Sequence, residues 1–184
     1  LVEIIMGKET SQETLAKTMD YVQKIKKTPI VVNDSRGFYT SRVFSTYTGE
    51  GVAMLAEGIK PALIENAGKM TGMPMAPLAL SDAVALDLAW KVTTQTKKDF
   101  EAEGKEFPVT PMYSIMEEMV EKQGRFGKKN NKGFYEYPES GKKYLWPELS
   151  NLCKESEEQP EVDELKKRFL YIQALETAKC YEEN

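Results

Sequence analysis

Only two stretches of this 184-residue chain read as β-strands, and both lie before residue 34. Leu1 to Met6 (LVEIIM) is an apolar run broken only by Glu3, and Ile30, Val31 and Val32 form a second run behind Pro29. Between them Thr10 and Glu13 have the spacing of a capping box. Leu15, Met19, Val22 and Ile25 then recur on one helical face, and Lys24, Lys26 and Lys27 load its C-terminal end. The pattern is strand, helix, strand, turn, and then helices only. Two strands alone make no stable sheet in water. The expected fold is therefore mainly α, with one or two residual strands from the end of a sheet whose remainder is missing.

The helical part is organised around Asn33 to Gly58. Asp34, Ser35 and Gly37 build a polar turn, and Phe38 opens a long helix with Phe44, Tyr47, Leu55 and Ile59 at three- and four-residue steps. Gly58 is placed to stop that helix and Pro61 to start the next, which runs to Met70. Gly49, Gly51, Ala53 and Ala56 thin one side, so another backbone can approach. Two prolines between Gly72 and Asp82 predict a stiff loop. A longer helix is expected over Ser81–Glu103, its start able to hold an anion or to pair with the acidic Asp82 and Asp87. Another helix follows Pro111, with Ile115, Met116, Met119 and Val120. The glycine-rich, basic stretch 124–137 lacks the Walker spacing. It reads as a turn between short extended arms, with Phe134, Tyr135 and Tyr137 packing back; contact with an anionic ligand is the alternative. Residues 138–161 read as a polar linker with a short turn around Trp146–Leu152. From Val162 a last helix carries Val162, Leu165, Phe169, Ile172 and Leu175.

The chemistry is bounded by an absence: the chain contains no histidine. A catalytic triad or a histidine–carboxylate pair must take its imidazole from elsewhere. Glu3 is the anomaly, either solvent-facing on an edge strand or aimed at a partner group in a site. The two cysteines show neither metal nor disulfide-framework spacing, which fits a reducing, intracellular setting, and no metal site is expected. A net charge of −4 disfavours nucleic acid as a partner. No apolar run approaches the roughly 20 residues of a membrane span. Leu1 is not an initiator methionine, so a cut piece of a longer chain is expected.

The last helix resembles the central one. Setting Arg42 on Arg168 places Glu50 on Glu176, Glu57 on Glu183 and Gly58 on Asn184, while Phe44 meets Leu170 and Met54 meets Cys180. The last residues thus read as the first helix of a second copy.

Taken in order, LVEII, TSQETLAK, PIVVNDSRGFYTSRVF, GMPMAPLALSDAVALDLAWK and GKKNNKGFYEY resemble successive motifs of 3-hydroxyacyl-CoA dehydrogenases, over residues 1 to 137. GFYTSR, PALIENA and the repeated tail look most like multifunctional members of fatty acid β-oxidation. The resemblance implies a helical domain like the 6-phosphogluconate dehydrogenase C-terminal domain. It divides the chain into 1–34, the tail of an NAD-binding Rossmann domain; 35–137, the helical domain; 138–161, a linker; and 162–184, a truncated second repeat. It assigns Glu3 the role of orienting a catalytic histidine that would lie before Leu1; without that partner, Glu3 is expected to be an ordinary carboxylate. It assigns Ser41 to substrate binding, where the family usually has asparagine. Arg36 replaces a proline, and Ala76 and Ala85 stand where glycines are common. NAD is implied for the parent enzyme and none for this piece, which is expected to be inactive alone. Implied partners are an acyl-CoA substrate, a second helical repeat or a second copy of the chain, and a thiolase β subunit. The implied compartment is cytoplasmic, or mitochondrial in a eukaryote. The rival reading is a stand-alone helical interaction or dimerisation module. A related 3-hydroxyacid dehydrogenase is a third.

Overall fold

The computed structural model describes residues 1–183; Asn184, the proposed counterpart of Gly58, lies outside the described residues. The chain divides into two units, 1–46 with 173–184, and 47–172, so that the boundary falls inside two helices.

The first unit begins with β1 (Val2–Met6), α1 (Gln12–Lys24) and β2 (Pro29–Asn33). The strands pair in parallel, with Glu3 opposite Ile30. Such pairing needs a crossover, which α1 supplies. The cap of α1 differs from the expected box: Ser11 is the N-cap and accepts from the Thr14 N–H. Thr10 instead receives the Gly7 N–H, and Glu13 pairs with Lys17. Gly37 (φ 81°) and Phe38 (φ 48°) both take left-handed backbone in the turn, so α2 begins at Thr40 rather than at Phe38 and runs to Ala56. Gly58 stops it at φ 84°, and a side chain there would strike the Lys154 carbonyl.

The second unit holds α3 (Pro61–Met70), α4 (Pro77–Val84), α5 (Leu86–Ala102), α6 (Pro111–Glu117), β3 (Tyr135–Glu136), β4 (Tyr144–Leu145) and α7 (Leu149–Leu152). The stiff loop expected over 72–82 is half helix. Pro77 occupies the first position of α4, where its missing N–H is no loss and its fixed φ suits the helix. Pro77 also wedges between Gly51 and Gly68, leaving no room for a Cβ at either. The single helix expected over 81–103 is broken at Ala85, whose φ of 78° ends α4 and starts α5. A wide π turn, Glu118–Lys122, continues α6. The stretch 138–161 carries β4, which pairs antiparallel with β3, and α7, so its middle is built into the unit. The last helix, α8 (Val162–Glu182), crosses the unit boundary. Its Leu165 and Phe169 are buried, Phe169 tilted against Tyr47 at 5.0 Å, while Leu175 is exposed.

The core joins Tyr47, Met54, Leu55, Ile64, Leu78, Leu86, Met119, Phe134, Leu149 and Phe169. Two buried carboxylates fasten its loops. Asp82, fully buried, accepts from the N–H groups of Phe134 (2.8 Å) and Tyr135 (2.9 Å) and from the Tyr137 hydroxyl (3.0 Å). Gly133 lies so close to that carboxylate that no Cβ fits. Glu65 accepts from the Leu78 N–H at the start of α4 (2.7 Å) and from the Tyr135 hydroxyl. Of the two acids expected at the start of the 81–103 helix, Asp87 lies in the first turn of α5, whereas Asp82 is taken by the donors of residues 134–137. No helix among the described residues is long and apolar enough to cross a membrane.

Candidate functional site

Glu3, the second residue of β1, projects onto the first turn of α2. Its Oε1 accepts from the N–H groups of Tyr39 (3.0 Å) and Thr40 (2.9 Å), and its Oε2 accepts from the Thr40 hydroxyl (2.8 Å). The first N–H groups of a helix have no partner within it, and the helix dipole favours negative charge there. Burial pushes the Glu3 carboxyl up, but the hydrogen bonds from Thr40 and Tyr39 outweigh it and hold the pKa below the ordinary glutamate value. Of the two readings of Glu3, the geometry matches the carboxylate aimed at partner groups rather than the solvent-facing one. One expectation needs correcting: Glu3 is not an ordinary carboxylate even in this chain, because the α2 backbone engages it.

Ser41 is the next residue after Thr40 and lies exposed on the same turn. The structure thus brings Glu3 and Ser41 to one helix start although 37 positions separate Glu3 from Thr40 in sequence. Thr40 was missed by the sequence reading; its signal was a hydroxyl residue at the opening of a helix just after the strained Gly37–Phe38 turn. In the same unit a cleft of about 350 Å³ is lined by Val31, Asn33, Phe38, Arg42, Thr177 and Tyr181, among others. Neither Glu3 nor Ser41 lines it.

Arg42, in the first turn of α2, closes the first unit's polar cluster by donating to Glu176 (2.7 Å) and Glu183. In the second unit Arg168 donates to Glu50 (2.6 Å) and Glu57. These are the residues that the internal alignment superposes, and they pair crosswise: each arginine takes the two glutamates of the other helix.

The first connection of the chain does not fit a dinucleotide's pyrophosphate. The β1–α1 connection, Gly7 to Ser11, holds one glycine, and its Gly7 N–H is taken by Thr10. A pyrophosphate cradle needs a glycine-rich turn with open N–H groups. Among the described residues no cluster of three or more histidine, cysteine or carboxylate side chains could hold a metal. Both cysteines are free thiols.

Residues 37–137 match the family model for the 3-hydroxyacyl-CoA dehydrogenase C-terminal domain, and residues 1–35 match that for its NAD-binding domain. Among solved structures, (S)-3-hydroxybutyryl-CoA dehydrogenase PaaH1 from Ralstonia eutropha is 32% identical, with a TM-score of 0.64, over 76% of this chain and 48% of that one. 3-Hydroxybutyryl-CoA dehydrogenase from Escherichia coli K12 is 28% identical, TM-score 0.63, over 76% of this chain and 29% of that one. FadB2 from M. tuberculosis is 25% identical, TM-score 0.62, over 74% and 47%. The chain spans about half the length of the first and third of these relatives and under a third of the second.

Proposed function

This chain belongs to the 3-hydroxyacyl-CoA dehydrogenase family, and we propose that it is the C-terminal part of an enzyme of fatty acid β-oxidation that oxidises a 3-hydroxyacyl-CoA to the 3-ketoacyl-CoA with NAD. The nucleotide supplies the hydride acceptor and is held by residues other than these. Glu3 orients an imidazole contributed from outside these residues and stabilises its charged form as it takes the hydroxyl proton. Ser41 offers a hydroxyl to the acyl group from the same turn. The helices form one wall of the acyl-CoA cleft and a pairing surface, and the crossed arginine–glutamate contacts support the pairing role.

The observation that carries this reading is the anchoring of Glu3 at the helix start that bears Ser41. A glutamate with a purely solvent role would not be held in one orientation by two N–H groups and a hydroxyl. The test is a steady-state assay of the purified chain with acetoacetyl-CoA and NADH. No turnover is expected; sustained NADH oxidation would show that the chain holds a complete active site and would overturn the division of labour proposed here.

A further inference from the structure

We infer that Thr40 is a positioning residue, which leaves Glu3 a single acceptor position, on Oε2, for an imidazole N–H. The inference rests on the dehydrogenase reading for the identity of that donor, but its geometry does not. An ionised carboxylate offers about four lone-pair positions on its two oxygens. The Tyr39 and Thr40 N–H groups fill those of Oε1, and the Thr40 hydroxyl fills one of Oε2. The backbone donors fix the rotation of the carboxylate; the hydroxyl decides which direction of Oε2 stays open. A donor arriving from outside therefore meets one acceptor in one orientation, and its ring plane is set by α2. Hydrogen bonds to an ionised group are the strong ones, so losing the hydroxyl changes both the charge preference and the aim of Glu3.

The test compares Thr40→Val, which keeps the shape and removes the hydroxyl, with Thr40→Ser, which keeps the hydroxyl. In this chain, carbon-detected NMR titration of the Glu3 carboxyl reads the interaction directly. Thr40→Val is expected to raise its midpoint by roughly half to one pH unit, and Thr40→Ser to restore it. An unmoved midpoint in Thr40→Val, or a Thr40→Ser variant that behaves like it, overturns the inference. In the full-length enzyme, Thr40→Val is expected to lower kcat by about tenfold with KM held, and Thr40→Ser to recover it. A fall in KM-governed binding alone would count against positioning. Glu3→Gln separates the two levels: if it leaves the full-length kcat unchanged, the dehydrogenase role of Glu3 fails, while the titration still decides whether Thr40 governs the carboxylate.

Discussion

The two units are held by different forces. Among the described residues, the buried apolar side chains of the first unit are Ile4 and Val22, whereas the second assembles a continuous core from Tyr47 to Phe169. The first exposes Ile5 and Val31 on its strands and is secured by directed polar contacts, Glu3 to α2 and Arg42 to its two glutamates. The second also uses buried carboxylates, but each of them sits inside packed apolar surroundings. Directional contacts set an orientation with little burial behind them; a core supplies stability and tolerates local strain. The unit that carries Glu3 and Ser41 is the one that depends on aim.

The largest expected effect breaks the second unit alone. Asp82→Ala strands the buried Phe134 and Tyr135 N–H groups and opens a cavity, and should cost about 3 kcal/mol or more. Trp90 and Trp146 both lie in that unit, so the shift is read from the urea midpoint of their fluorescence. An unchanged midpoint would mean that Asp82 does not fasten the segment 133–137 around β3.

A smaller effect isolates the first unit. Glu3→Gln removes the charge from the α2 N-terminus and should cost about 1–2 kcal/mol locally. Amide exchange at Tyr39 and Thr40 should speed up while the tryptophan midpoint holds. Acid should act in the same direction. The folded-state pKa of Glu3 lies below its unfolded value, so its contribution is present above the ordinary glutamate pKa of 4.5 and is lost as pH falls through the folded value. Burial instead pushes Asp82 and Glu65 up, against the donors that pull them down. Their contribution is present below the unfolded pKa and falls away as pH rises through the folded one. Acidification should therefore loosen the Tyr39–Thr40 amides before it moves the tryptophan signal; the reverse order would refute the contrast.

The smallest effect is a gain. Ala85 holds φ 78°, a conformation that costs an L-residue of order 1–2 kcal/mol and costs glycine almost nothing. The Leu86 N–H bonds the Phe126 carbonyl at 3.0 Å and the Leu86 side chain is fully buried, so the surroundings hold Ala85 in place. Ala85→Gly should raise stability by about 1 kcal/mol in the same urea experiment.

The long elements were legible because their periodicity and their stops coincide: Pro61 opens α3, Gly58 closes α2, and α8 starts at Val162. Glu3 was legible as an anomaly, since a charge in an apolar strand demands a partner. Its partner was not, because backbone N–H groups leave no trace in residue types and Thr40 lies far along the chain. Proline misled at Pro77, where the same ring that forbids a helix interior favours a helix start. Ala85 misled because nothing in an alanine announces a left-handed break; the neighbouring Leu86, buried and bonded through its N–H to the Phe126 carbonyl, imposes one. The 138–161 stretch reads as linker by its polarity, yet two residues, Tyr144 and Leu145, suffice to pair it to β3.

The crossed pairs carry one more consequence. Arg42 answers to Glu176 and Glu183, and Arg168 to Glu50 and Glu57, so neither helix can exchange its charges on its own. Inverting Arg42 must be repaired in α8, and inverting Arg168 must be repaired in α2. The two helices agree at the arginine and the two glutamates so coupled, and differ at the paired positions Phe44 and Leu170, Met54 and Cys180.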